Sequence, residues 1–367
     1  MTKRLARAKS SKPAWATADV ALARDLSNAL AVSGDEGAVR RLVLDAIRPL
    51  VDEARVDALG NVLAVKRAAP GTRNAPRVLL ATHMDEVGFM IVDHDSDGSL
   101  RFEVVGGISE RVLLGQPVLV GAKRLPGIIG ATPVHLLSAD RQSSVVKTAQ
   151  MRIDVGASSQ ADARRLAPVG DRAGFATEFA QLDGALRGKA LDDRLSCATL
   201  IGLLRAGPYP VELHAAFTVQ EEVGLRGARV AGYAVDPVAA IALDCTPAQD
   251  LPSSRDHENT QYNCRLGLGP VIYVADGRTL SDRRLVNYLS RSAEAAGLPY
   301  QLRQPGGGGT DAGAIQKARA GVPVVSLSVP ARYLHTPASL VRLDDWENTL
   351  RLAQLALQNF SLAVLKR

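Results

Sequence analysis

From about Ile91 to Phe175 the chain runs as short β-prone stretches broken by glycine, at Gly106, Gly107, Gly115, Gly121, Gly127, Gly130, Gly156 and Gly170. Turn residues spaced this way between brief apolar runs describe a small barrel or sandwich. On either side the pattern differs. From about Thr17 to Ile47 apolar residues recur at helical spacing (Val20, Leu22, Leu26 and Leu30, then Val39, Leu42, Val43 and Ile47), and Ser33-Gly34-Asp35 breaks them into two helices. Strands are expected near Arg55–Asp57, at Asn61–Lys66 and at Val78–Ala81. Beyond Leu191 a helical pattern returns around Cys197–Leu204. Strands at His214–Val219, Ala239–Leu243 and Val322–Val329 then alternate with helices near Asp282–Ala296, Asp311–Ala320 and Asp344–Leu365. Such alternation builds a sheet with helices on both faces. The fold class expected is therefore α/β, a doubly wound mixed-sheet domain (17–90 and 176–367) interrupted by an inserted small β-barrel domain (91–175).

At 367 residues, 46% of them hydrophobic, the chain has material for two cores. No apolar run approaches the ~20 residues of a membrane span, and no hydrophobic stretch follows the amino-terminal Met-Thr-Lys-Arg-Leu-Ala-Arg. A cytoplasmic protein with no membrane partner is expected. The first sixteen residues, the densest basic stretch, read as a flexible tail. The net charge of +6 does not mark a nucleic-acid binder, because the basic residues are spread along the chain and aromatics make up only 4%. Cys197, Cys245 and Cys264 form no CxxC pair and read as reduced packing residues.

Several predicted strands end in residues that bind divalent metal. Arg77-Val-Leu-Leu-Ala-Thr delivers His83, with Asp85 two positions on to fix its tautomer; His214-Ala-Ala-Phe-Thr-Val-Gln ends in Glu221-Glu222; Ala239-Ala-Ile-Ala-Leu reaches Asp244; and the strand after Val322 leads to His335. Ala190-Leu-Asp-Asp-Arg puts Asp192 and Asp193 at a helix start. Each has a commonplace reading, since an Asp before a helix is usually an N-cap and paired glutamates are usually a solvated surface. Together they converge, because the carboxyl ends of parallel strands open into one crevice. Two divalent cations would set four positive charges against Asp192, Glu222 and Asp244 and two neutral imidazoles. Mixed nitrogen and oxygen donors suit zinc or cobalt better than magnesium or calcium. Glu221 is then a spare carboxylate placed for proton transfer.

The motifs His83-Met-Asp-Glu-Val-Gly-Phe-Met, Leu191-Asp-Asp-Arg, Gln220-Glu-Glu-Val-Gly-Leu-Arg-Gly-Ala, Ala242-Leu-Asp-Cys-Thr, Gly307-Gly-Gly-Thr-Asp-Ala and Pro330-Ala-Arg-Tyr-Leu-His resemble, in the same order, those of the M42 metallo-aminopeptidases. The resemblance runs from about Leu22 to the carboxyl terminus. It implies two metal ions, zinc or cobalt, with Asp192 bridging, His83 and Asp244 completing one site and Glu222 and His335 the other. Glu221 would be the general base, Asp85 would orient His83, and Asp193 would stand behind the ligands across a cis peptide bond. More than a hundred positions separate His83 from Asp192, room for a whole domain, whereas M20 and M28 peptidases bring these ligands closer in sequence. The implied function is removal of amino-terminal residues from short peptides. The inserted domain would mediate dimerisation, and the dimers would be building blocks of a dodecameric homo-oligomer. An M20-like deacylase or carboxypeptidase, and a non-catalytic assembly protein with a relict site, are the alternatives.

Gly306-Gly-Gly-Gly-Thr-Asp lacks the Lys-Ser/Thr of a phosphate loop; its glycines are expected to let backbone approach a substrate carbonyl, with Thr310 or Asp311 capping the next helix. Arg332 and Tyr333 are expected to line the pocket or support His335. Of the remaining histidines, His94, His214 and His257 lack a matching carboxylate context, and His135 corresponds to a structural histidine of the family's inserted domain.

Overall fold

The computed structural model describes residues 17–136, 138, 142–251 and 263–366. The expected tail and His257 lie outside that set. Two helices, Val20–Asn28 and Gly37–Ile47, lead into strands β1 (Glu53–Val56), β2 (Val62–Lys66) and β3 (Arg77–His83). Six strands follow: β4 (Gly88–His94), β5 (Leu100–Val105), β6 (Pro117–Val120), β7 (Leu125–Gly130), β8 (Arg152–Asp154) and β9 (Arg172–Phe175). They close into a barrel in the order β4-β5-β8-β7-β6-β9. Phe89 fixes its centre, meeting Phe102 and Phe175 edge to face at 5.2 and 5.4 Å between ring centroids. The barrel begins at Gly88, slightly ahead of its expected start, because β4 turns straight out of the loop after His83.

The chain returns through the hairpin β10 (Ala180–Leu182) and β11 (Ala185–Gly188), then the helix Leu191–Ala206, β12 (Glu212–Thr218), the helix Arg226–Val235, β13 (Ala239–Pro247) and β14 (Val271–Tyr273). It ends with the helix Arg283–Ala296, β15 (Gln301–Arg303), the short helix Ala312–Ile315, β16 (Val324–Ala331), β17 (Ser339–Arg342) and the helix Leu343–Gln358. The main sheet has eight strands in the order β1-β2-β12-β3-β13-β16-β14-β15. Its centre, β12, β3, β13 and β16, is parallel, and the antiparallel pairs β1/β2, β2/β12 and β14/β16 make it mixed. β3 reads as a continuous apolar run because both of its faces are covered. Val78, Leu80, Ile241 and Leu243 pack under Leu195, Leu200, Leu350 and Ala353, whereas Leu79, Ala81, Ala240 and Ala242 meet Ala228, Ala231 and Ile315 on the other face. Helices on both faces make the domain doubly wound.

Two elements are shorter than the sequence pattern predicts. The helix expected at Asp311–Ala320 is regular only over Ala312–Ile315, since Arg319 (φ 51°) and Gly321 (φ 102°) turn the chain back into β16. The last helix stops at Gln358, and a 3-10 turn takes Leu362–Leu365. No helix among the described residues is long and apolar enough to cross a membrane.

Candidate active site

Strand register brings the site together. Thr218 stands opposite His83 across β12/β3, Ala242 opposite Ala81 across β13/β3, and Asp244 opposite Ser328 across β13/β16. His83 and Asp244 are therefore level, and Glu221 and Glu222 emerge just past the end of β12. Asp192 comes from the start of the helix below the sheet, where the Asp192–Asp193 peptide is cis and both residues leave helical geometry. The three-stranded sheet β10-β11-β17 ties this segment to the loop bearing His335, since Gly188 is paired with Ser339.

The Asp192 carboxylate lies between the two imidazoles: Oδ1 is 3.2 Å from His83 Nε2 and Oδ2 is 3.6 Å from His335 Nε2. His335 Nε2 is also 3.3 Å from Glu222 Oε2. Donor atoms of His83, Asp192 and Glu222 lie within 4.8 Å of one another, as do those of His83, Asp193 and Asp244. Asp193 thus approaches the cluster more directly than a residue behind the ligands. Its Oδ2 accepts from Thr82 Oγ1 (2.6 Å) and the His83 N–H (3.2 Å), while its buried Oδ1 has no partner among the described residues.

The far side of each imidazole meets a carbonyl, that of Asp85 at 3.1 Å from His83 Nδ1 and that of Gly107 at 2.8 Å from His335 Nδ1. Both rings are thereby turned with Nε2 inward. The fully buried Asp85 carboxylate, expected to orient His83, stands 3.5 Å from Nδ1, farther than the Asp85 carbonyl, and its hydrogen bonds go elsewhere. It accepts from Ser33 Oγ (2.6 Å), from the Glu221 N–H (3.0 Å) and from the Glu222 N–H (3.2 Å), fixing the backbone that carries both glutamates. Asn61 Oδ1 accepts from the Val219 N–H just upstream, and Gly227 packs on the same spot, where a Cβ would stand 2.5 Å from the Val219 carbonyl oxygen.

Negative charge is crowded here. Burial, reinforced by Asp192 and Asp193, lifts Asp244 well above the ordinary carboxylate range. Burial also raises Asp193 to about 8, His83 opposing and Asp192 reinforcing. Burial works against protonated imidazoles, yet the Asp192 and Asp85 carboxylates carry His83 well above its usual value, and those of Asp192 and Glu222 bring His335 to about 11. A cluster that pulls protons onto its imidazoles would accept cations in their place, and its nitrogen and oxygen donors suit a divalent metal ion.

Glu221 is buried, and its carboxylate accepts no hydrogen bond among the described residues. Burial drives it well above the ordinary range; His83 opposes this, while Asp311, Glu222 and Asp85 add to it. A cleft of about 930 Å³ opens over these groups, bounded by Gly307–Gly309, Tyr333 and Leu334 as well as the candidate ligands. Thr310 Oγ1 takes the N–H of Ala312, whereas Asp311 turns to accept the Thr218 hydroxyl. Arg332 is not at the cleft: Asp250 holds its guanidinium at 2.6 and 3.1 Å. The other described histidines lie elsewhere, with His94 on the Ala167 carbonyl, His214 on Glu212, and His135 exposed in a short turn. Four contributors were not visible in the sequence: Ser33, the Gly107 carbonyl, and the thiols of Cys197 and Cys245, which contact the carbonyls of His83 and Leu191.

An α/β sheet with an inserted barrel, and histidines and carboxylates gathered at its strand ends, are the features of a metallopeptidase. The chain belongs to the M42 glutamyl aminopeptidase family, whose model matches residues 60–352, and it is a peptidase. Among its relatives is the lysyl aminopeptidase of Pyrococcus furiosus, 33% identical over 89% of this chain and 93% of that one. A TET aminopeptidase from a marine sediment archaeon of the Thaumarchaeota superposes with a TM-score of 0.88 at 34% identity, covering 94% of this chain and 98% of that one. The TET1 peptidase of Pyrococcus horikoshii, described as able to assemble into a tetrahedron or a large octahedral shell, superposes at 0.81 with 32% identity over 93% and 99% of the two chains.

Proposed function

We propose that this peptidase is a binuclear-metal aminopeptidase acting on short peptides. His83, Asp192 and Asp244 would hold one divalent ion, and Asp192, Glu222 and His335 the other, with Asp193 beside the first. Zinc or cobalt bound there would supply Lewis acidity toward a scissile carbonyl and lower the pKa of a water. Glu221 then takes the proton of the attacking water and returns it to the leaving amine. Asp85 holds Glu221 and Glu222 in place, and Gly307–Gly309 let the substrate backbone come close. The observation that carries this reading is Glu221 itself: a buried carboxylate with a raised pKa and no donor among the described residues, beside two imidazoles and three candidate ligand carboxylates.

The barrel, with the 91–175 segment at its heart, serves in this reading for dimerisation of a soluble, cytoplasmic enzyme whose dimers build larger homo-oligomers; its Pyrococcus horikoshii relative can assemble into a tetrahedron or a large octahedral shell. Light scattering of the purified chain tests that part; a monomer at micromolar concentration would rule it out. The chemistry is tested by stripping the protein with chelator, adding back zinc or cobalt and following amino-acid p-nitroanilides. Glu221→Gln is expected to lower turnover by at least ~10²-fold while metal content stays at the wild-type level. Retained turnover would remove Glu221 from the base role.

A further inference from the structure

The helix Arg226–Val235 and the segment 312–319 lie against each other on one face of the main sheet, and they touch at Gly232. A Cβ there would stand 3.2 Å from that of Ala318 and 3.3 Å from the Ile315 Cα. Beside this close crossing, longer side chains from both elements surround a hollow of about 750 Å³. Four of the residues lining it are cationic, Arg229, Arg278, Lys317 and Arg319, and none is acidic. Arg319 is engaged locally: its guanidinium carbon lies 3.5 Å from the centre of the Tyr233 ring, and Nε donates to the Tyr233 carbonyl at 2.9 Å. Arg229, Arg278 and Lys317 are exposed, and among the described residues none is paired with a carboxylate. Like charges around a concavity repel one another, and an anion seated among them relieves that repulsion.

The hollow adjoins the candidate active site, since Gly224, Leu225 and Arg278 line both it and the cleft over the candidate ligands. Gly224 has no side chain and Leu225 is buried, so Arg278 is the exposed side chain that the two spaces share. Arg303, the other arginine lining the cleft, is engaged already. Its guanidinium carbon sits 4.4 Å from the centre of the Tyr273 ring, and Nη2 donates to the Gly307 carbonyl at 3.0 Å.

We propose that this hollow is a binding site for the carboxyl terminus of the peptide substrate, with Arg229, Arg278 and Lys317 around the terminal carboxylate. The inference rests on the aminopeptidase reading and deepens it. A peptide whose first residue lies at the candidate metal ligands carries one carboxylate at its far end, whatever its sequence. An extended chain advances ~3.4 Å per residue, so only peptides of suitable length bring that group to the hollow while the first peptide bond stands beside Glu221. The site thus measures length and selects short peptides without reading their side chains. Guanidiniums suit a carboxylate because each can donate two parallel N–H groups, and Lys317 adds a point charge. All three cations are exposed, so the preference they give is modest and weakens with salt.

The test uses the full chain loaded with zinc or cobalt and alanine–serine peptides of about two to eight residues. Each begins with the residue best cleaved as its p-nitroanilide and is made both as the free acid and as the carboxyl-terminal amide. Over part of that range the kcat/KM of the acid is expected to exceed that of the amide by at least ~5-fold, chiefly through KM, and the ratio should shrink toward 1 as salt is raised. Arg229→Glu and Lys317→Glu should invert the ratio in favour of the amide, and Arg229→Lys should preserve it. Because acid and amide are compared on the same variant, misfolding cannot produce the inversion. Calorimetric titration of Glu221→Gln with the two forms gives a readout apart from turnover, and the acid should bind ~5-fold more tightly. An amide ending in glutamate tells a terminal carboxylate from a side-chain one, and its cleavage as fast as the free acid overturns the assignment. So does an acid-to-amide ratio near 1 at every length, or one unchanged in both glutamate variants; a change of oligomeric size in those variants would then give the hollow to a second copy of the chain. In each of these cases the aminopeptidase reading stands. No cleavage of any peptide or p-nitroanilide brings down that reading and this inference with it.

Discussion

Asp85→Asn is the sharpest test of how the site is held, because the substitution keeps the shape of a fully buried side chain and changes only its hydrogen-bonding character. The carboxylate accepts from three donors: Ser33 Oγ at 2.6 Å, the Glu221 N–H at 3.0 Å and the Glu222 N–H at 3.2 Å. An amide has a single acceptor oxygen. If its NH₂ group takes the place of Oδ2, the Ser33 hydroxyl can rotate to accept, but the Glu222 N–H then faces another donor. If it replaces Oδ1, the Glu221 N–H is the one left facing a donor. Either way one backbone N–H is buried without an acceptor, at a cost of ~1–3 kcal/mol, and the remaining bonds lose their charged partner. The combined loss should be about 2–4 kcal/mol. Urea unfolding of chelator-stripped wild type and variant measures it without a contribution from metal binding. Because both glutamates hang from this backbone, turnover of the metal-loaded variant should fall ~10- to 100-fold. A stability change below about 0.5 kcal/mol with unaltered turnover would show that Asp85 does not hold the loop.

Lys189 gives a prediction with a definite pH window. Its Nζ is buried against both Glu86 oxygens at 2.8 Å, while Arg194 reaches the same carboxylate at 3.2 Å, so two cations share one anion. Burial, with Glu86 opposing and Arg194 reinforcing, lowers Lys189 to about 8. The unfolded chain keeps that proton to about pH 10.4, so between these values it binds more protons than the native state, and stability rises with pH there by up to ~1.4 kcal/mol per unit. Unfolding free energies of wild type and Lys189→Met at about pH 7 and pH 9.5 should therefore diverge in favour of the wild type at the higher pH; a constant difference refutes the assignment. Gly227→Ala places a methyl group 2.2 Å from Asn61 Oδ1 and 2.6 Å from the Val219 nitrogen. These atoms are hydrogen-bonded to each other, so unfolding should become easier by ~3 kcal/mol, with turnover lost as the Gln220–Glu222 segment shifts. Gly130→Ala, where nothing lies within 4 Å of the added carbon, is the control. Equal midpoints for the two alanine variants would contradict the packing argument.

That His83, Glu221, Glu222 and Asp244 lie together at the strand ends could be read from the sequence because each follows a largely apolar run, and a parallel strand covered on both faces leaves little ambiguity about where it ends. The barrel was legible from its glycines, and both faces of the main sheet from helical spacing. Asp192 carried a weaker signal. An Asp at a helix start is ordinarily a cap; convergence with the strand ends made it a candidate ligand, and only family resemblance implied its place between the two imidazoles. The helix expected to reach Ala320 fails for a tertiary reason, since its pattern is helical but the chain must turn back at Arg319 and Gly321 to enter β16. Arg278 and Arg303 carry no local signal at all. Arg303 ends the short strand β15 and Arg278 lies in a bend between Ala275 and Leu280, and only the tertiary fold brings them to the same cleft.

The Gly107 carbonyl shows why an inserted domain can matter to chemistry on another sheet. His83 receives its Nδ1 contact from Asp85, two residues away, so strand β3 and the turn after it suffice to orient that ring. His335 has no such neighbour in sequence. It follows a loop that passes through Tyr333 (φ 61°) and is itself at φ 57°, and its Nδ1 is held at 2.8 Å by an oxygen 228 residues upstream, in the loop that leaves β5. One imidazole is thus fixed by local structure, the other by the barrel. The two modules share one site, and a barrel detached from the sheet would take away the Nδ1 partner of His335, leaving only its Glu222 and Asp192 contacts, while His83 would keep its own.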